Sequence, residues 1–281
     1  MERLIDSLPG VSMPVEAVTE TLRHMWDKEA GVKESPTDFR ASQLNLILHF
    51  GLETSAGEAR ERFDTAIRFA QRYPCRIVVL CPSTRPAGET AFEGKLFSQC
   101  YLGRHLRDLC CCEALILGYS PEESGFLESQ VSVWLESDLP IYHFLHRVPA
   151  ARIDRHYLGF LKRCRAVIFD GAVEGTAYAG LDWPHPDRLK DLALARTLPL
   201  RQHLGQFLSG FPPAELAAGL QSVEIRYTAD MERAARHLLQ WQQAALTRCL
   251  DQAGALPEPV RFDLRPFSGS ETPACLATAW R

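Results

Sequence analysis

With 281 residues, 46% of them hydrophobic, the chain has enough apolar surface for one large domain or two modest ones. Its formal net charge of −4, with lysines and arginines scattered along the chain, excludes the basic stripe that a nucleic-acid surface requires. No stretch approaches the roughly 18 consecutive apolar residues of a membrane span and no basic, then apolar, leader stands near Met1, so a cytoplasmic chain with no membrane contact is expected.

In chain order, residues 1–40 read as an N-terminal extension with one helix over Pro14 to Glu29 and a polar loop after it. Gln43 to Phe50 is a continuous apolar strand, and Phe63, Ala66, Ile67 and Ala70 then mark one face of a helix. "YPCRIVVLCPS" is a second buried strand, stopped at Pro82, and "AFEGKLFSQCYLG" a third. "LCCCEALILG" (Leu109 to Gly118) follows, and its length and flanking turns favour a central strand buried on both faces. Leu127, Val131, Trp134 and Leu135 recur at helical spacing, with Trp134 in the core. "DLPIYHFL" begins a strand, Ile153, Tyr157 and Leu161 mark a helix, and "RAVIFDG" closes the series. Strands alternating with helices over residues 41–171 predict an α/β layered domain with a mostly parallel sheet and flanking helices.

Residues 172–281 have a different texture and predict a smaller α+β domain. The segment from Leu181 to Pro213 reads as helical with a break at Pro199, and "SVEIRYTA" as a half-exposed strand. Ala234, Ala235, Leu238, Trp241, Ala245, Leu246 and Cys249 form one face of a long helix. "VRFDLRPF" and "CLATAW" read as an antiparallel end.

The chemistry-bearing patterns point away from catalysis. There is no G-x-G-x-x-G after a strand, no phosphate loop ending in G-K-[ST], and "GYSPE" lacks the last glycine of a nucleophile elbow. His143 and His146 lie three apart on a strand and so face opposite sides, which suits structural or surface histidines rather than metal ligands. The nine cysteines show no C-x-x-C spacing, so free thiols are expected, and Cys111 points away from Cys110 and Cys112. No catalytic, cofactor-binding or metal-binding residue is assigned. Asp138 and Asp170 stand at strand edges, where they organise the ends. Trp183, in the polar segment "GLDWPHP", is expected to be exposed.

The order of "FRASQLNLIL", "RYPCRIVVLCPS", "CCEALIL", "SDLPIYHFLHRVP", "CRAVIFDG" and "DLALARTLPLRQHLGQFL" resembles the glucose-6-phosphate dehydrogenase assembly protein family, OpcA. The closing "VEIRYTADMERAARHLLQWQQAAL" is similar as well, and the resemblance covers roughly residues 38–281. The chain departs from the family at "YHFLH", at Gly171 and at "LPLR", so a divergent member is implied. The resemblance implies a non-catalytic assembly factor and allosteric activator of glucose-6-phosphate dehydrogenase, acting on glucose metabolism and NADPH supply through the oxidative pentose phosphate pathway, without a cofactor. Trp183, Arg147, Arg196 and Arg201 are the candidate partner contacts. The alternative is an enzyme or sensor that binds a sugar phosphate or nucleotide at the sheet's switch point near Gly171 to Gly180.

Overall fold

The apolar runs form the interior strands of an eight-stranded sheet in the computed structural model, which describes residues 3–29, 42–84, 92–102, 109–212, 215, 220–253, 260–267 and 275–281. The chain divides into two units, Met1–Phe169 with Ala177–Leu189, and Asp170–Thr176 with Lys190–Arg281.

The strands of the large sheet are β1 (Val11–Met13), β2 (Leu44–Phe50), β3 (Cys75–Pro82), β4 (Phe92–Leu102), β5 (Leu109–Tyr119), β6 (Ile141–His146), β7 (Ala166–Phe169) and the short β8 (Leu189–Asp191), within which the chain passes from the first unit to the second. Their order is β1-β4-β5-β3-β2-β6-β7-β8. From β5 to β7 all pairings are parallel, while β1 and β4 add an antiparallel margin. The sheet is α/β and mostly parallel, as its alternating pattern predicts.

The first unit also contains α1 (Leu4–Ser7), α2 (Val15–Glu29), α3 (Ala56–Arg72), α4 (Leu127–Ser132), α5 (Ala150–Arg152) and α6 (Leu158–Lys162). Helix α3 starts where Ser55 and Glu58 form a reciprocal capping box, and it buries Ala59, Phe63, Ala66, Ile67 and Ala70 on one face. Between α5 and α6, Ile153–Tyr157 winds as one π-helical turn rather than the regular helix its spacing suggests, and buries both end residues.

Central β5 is covered on both faces: every residue from Cys112 to Tyr119 is buried. Cys112 is buried in this strand, at 1% exposure. Cys100 is an exception to the expected free thiols. It is disulfide-bonded, and its Cα stands opposite that of Cys111 in the antiparallel β4 and β5 ladder. Next to Cys112, the Glu113 carboxylate accepts hydrogen bonds from Arg76 at 2.8 and 3.2 Å, and Arg76 also donates to the Trp134 carbonyl. Parallel register places Arg76 and Glu113 side by side, which lets two buried charges neutralise each other.

The second unit contains α7 (Gly171–Glu174), α8 (Leu192–Ala195), α9 (Leu198–Leu208) and α10 (Glu232–Ala253), with a three-stranded sheet of β9 (Ser222–Tyr227), β10 (Arg261–Pro266) and β11 (Leu276–Trp280). Ile225, Ala235 and Leu238 form its core, with Leu200, Trp241, Leu264 and Leu276 packed around them.

Three local expectations change here. β10 and β11 do not form an antiparallel pair; β9 lies between them, parallel to β10 and antiparallel to β11. Flanked on both sides, β9 buries Val223, Glu224 and Ile225 in succession instead of alternating. Pro199 does not break a helix. It sits in the first turn of α9, where its missing N–H costs nothing, and the residues before it form β8 and α8.

Candidate functional site

In open parallel sheets ligands bind beyond the carboxyl ends of the strands, where the strand order reverses. Here β2, β3 and β5 succeed one another in one direction and β6 and β7 in the other, so the reversal lies between β2 and β6. This corrects the expected position near Gly171 to Gly180. The cause is the strand order itself: β6 returns beside β2, not beside β5.

The switch point is closed by the chain's own groups. The Gly51 N–H donates to the His146 carbonyl at 2.8 Å, and a Cβ at Gly51 would stand 1.6 Å from the Arg147 carbonyl oxygen. Arg147, at φ 55°, directs its guanidinium onto Glu58, with contacts of 2.8 and 2.9 Å. Glu58 also accepts from the Ser55 N–H, while the Ser55 hydroxyl accepts from the Glu58 N–H. The hydrogen bond from Arg147 lowers the Glu58 pKa to about 2, burial opposes this, and the Ser55 contacts add to it. A carboxylate therefore occupies the helix N-terminus where an incoming phosphate would otherwise bind. The space left beside Gly51, Pro82, Tyr119 and Tyr157 is about 10 Å³, whereas small-molecule pockets measure roughly 300 to 1,000 Å³.

Beneath this closure lies a buried polar chain. His49 Nδ1 is 3.1 Å from His143 Nε2, His49 Nε2 is 2.9 Å from the Tyr119 hydroxyl, and that hydroxyl is 3.3 Å from Tyr157, which meets Ser124 at 2.9 Å. Burial drives the His49 pKa down to about 3 and the His143 pKa well below its usual value, so both rings are neutral near pH 7. Burial likewise raises the Cys164 thiol to about 12, the opposite of what a nucleophile requires. These groups satisfy one another and hold five elements together; they present no reacting atom to solvent.

The second unit holds a separate charged cluster. Asp170, buried at 3% exposure, accepts from the Ala172 N–H at 3.1 Å and from Arg196 through both carboxylate oxygens. Asp191 accepts from the N–H groups of Gly171 and Ala193 at 2.9 and 2.8 Å and meets His237 at 2.8 Å. Burial alone would raise the Asp191 pKa, but the His237 contact and the two N–H groups outweigh it and hold it at about 2. A cleft of about 660 Å³ opens beside Gly171, Thr176, Arg233 and Arg236. The N–H groups of Gly171 and Ala172 are nevertheless already spent on carboxylates, which leaves neither to bind an anion.

The sequence-chosen residues fall in different surroundings. Trp183 is not exposed: at 8% exposure it packs in the core against Tyr178, and its indole N–H donates to the Tyr178 carbonyl at 3.0 Å. Its polar neighbours Asp182 and Asp187 stay outside while the turn folds the ring inward, which is why the segment looked exposed. Asp138 is exposed beyond the N-terminal end of β6, Arg147 is engaged by Glu58, and Arg196 by Asp170. Arg201 lies over the Trp241 ring, 5.8 Å from its centroid. The structure thus brings Asp170 and Arg196 together in one ion pair, and does not gather the others. Sequence reading missed Glu58, Gly51, His49 and Asp191. Only the S-x-x-E spacing of Ser55 and Glu58 could have been read as a signal.

Residues 66–182 match the family model described as the glucose-6-phosphate dehydrogenase subunit N-terminal domain. Over these residues, less than half of the chain, it is similar to the OpcA family. No curated protein and no solved structure matches the chain significantly. The matched segment takes in β3 to β7 and α7 and carries Arg147, Asp138 and Asp170, whereas Trp183, Arg196 and Arg201 lie beyond it. No helix among the described residues is long and apolar enough to cross a membrane.

Proposed function

We propose that this protein is a non-catalytic partner of glucose-6-phosphate dehydrogenase that binds the enzyme in the cytoplasm, supports its assembly and raises its activity. The match of residues 66–182 to that dehydrogenase-subunit family carries the reading. The closed switch point supports it, because Gly51, Arg147 and Glu58 fill the position where an α/β enzyme of this topology would hold substrate. An activator of this kind works by binding one conformation of the enzyme better than another, and a coupling of about 1 to 3 kcal/mol changes affinity about 5- to 150-fold.

The test of association is sedimentation velocity of the purified protein mixed with glucose-6-phosphate dehydrogenase from the same source. A faster-sedimenting species containing both chains is the expected result. Two independent boundaries at micromolar concentrations of each would refute the reading.

A further inference from the structure

Helix α9 in the second unit presents an apolar surface that its own unit leaves open. Leu198, Phe207 and the following Phe211 are exposed by 47%, 67% and 44%, and the two phenylalanine rings lie 5.4 Å apart. Beside them runs a groove of about 370 Å³ whose walls include Leu208, Trp241, Ala245, Leu246 and Trp280. Gly205 forms part of its rim, and a Cβ there would meet nothing within 4 Å. Among the described residues no carboxylate lines this groove.

Trp280 lines the groove, and Arg201 stacks on another of its walls. Trp280 Nε1 and Arg201 Nε are both buried donors without a hydrogen-bond partner among the described residues. Arg201 lies over Trp241, a wall of the groove, and makes no ion pair among the described residues, in contrast to Arg76, Arg147 and Arg196, which each face a carboxylate. An apolar groove with a guanidinium stacked on one of its walls, and no carboxylate lining it among the described residues, is complementary to an apolar segment that carries a carboxylate. Aromatic residues and arginine are also the residue types that dominate binding energy at protein interfaces.

We infer that the α9 groove is the docking site for an acidic, apolar segment of the dehydrogenase, with its apolar side chain between Phe211 and Trp280 and its carboxylate on Arg201. This rests on the proposed function, since that function names the partner. It adds the surface and the chemistry of the segment bound.

The test is a calorimetric titration of the full-length protein into the dehydrogenase, comparing wild type with Phe207→Ala/Phe211→Ala, Arg201→Glu and Ala245→Trp, the last of which fills the groove. Phe126→Ala and Val133→Ala, at 65% and 67% exposed positions of the first unit, serve as controls. The expected result is a Kd raised at least about tenfold by each groove variant and changed by less than about twofold in the controls. A wild-type affinity that falls with added salt, with a shallower dependence in Arg201→Gln, is the expected signature of the carboxylate. Wild-type binding that all three groove variants retain within about twofold would overturn this inference and leave the proposed function standing, whereas failure of the wild type to bind overturns both. Self-association of the wild type abolished by Phe207→Ala/Phe211→Ala would put a second copy of this chain in the groove, and so would also overturn it. The double variant removes only exposed side chains, and its unfolding transition serves as the check on folding.

Discussion

The carboxyl end of the parallel strands and the α9 surface treat their polar groups in opposite ways. At the first, Glu58, Arg147, Ser55 and the backbone of Gly51 close on one another, and the rings of His49 and His143 are paired below them. At the second, Trp280 shares an open apolar groove with Phe211 and keeps a donor without a partner among the described residues, and Arg201 lies over Trp241 in the groove wall. A polar cluster whose members bond one another fixes a structure, and open apolar surface awaits something else. The region where this fold usually works is thus the part devoted to stability, and the region available for work lies in the smaller unit.

The sharpest way to break that contrast is Gly51→Ala. A methyl group placed 1.6 Å from the Arg147 carbonyl oxygen forces the backbone apart, and the expected loss of stability is about 4 kcal/mol or more, measured by urea unfolding. Unchanged stability would mean that the switch point is not closed. Glu113→Ala leaves the Arg76 guanidinium buried with only the half-buried Glu136 to face it, and should cost about 3 kcal/mol in the same assay.

Acid provides a third test. The folded-state pKa of His49 lies near 3 and that of His143 well below its usual value, while both approach roughly 6.5 in the unfolded chain. The stability of keeping these rings neutral is fully present above the unfolded pKa. It is lost as pH falls below about 6.5, because the unfolded chain takes up protons that the native state refuses. Between about pH 6.5 and 5.5 the two rings together should remove about 2 kcal/mol, and His49→Gln should flatten that slope. The smallest effect belongs to Ser55→Ala, which removes one half of the capping box and should cost about 1 kcal/mol by thermal unfolding.

The fold was largely legible because its strands carry the signal themselves. Continuous apolar runs such as Leu44–Phe50 and Cys75–Pro82 can be satisfied only in a sheet covered on both faces. The site was not legible, because its parts meet through topology. Arg147 reaches Glu58 across 89 positions and His143 meets His49 across 94. Without the strand order, nothing in the sequence says that β6 lies beside β2. Trp183 misled for a local reason: flanking Asp182 and Asp187 are polar and outside, and the ring between them turns in. Arg201 was chosen only as a partner contact, and its place over Trp241 became visible when α9 and α10 packed together.

The most direct measurement is the initial rate of glucose-6-phosphate dehydrogenase against glucose 6-phosphate concentration, with this protein titrated from zero to micromolar excess. A saturable fall in apparent KM or a saturable rise in kcat, abolished in parallel with binding by Phe207→Ala/Phe211→Ala, is the predicted result. Rate curves that superimpose at every concentration of the wild-type protein would contradict the account.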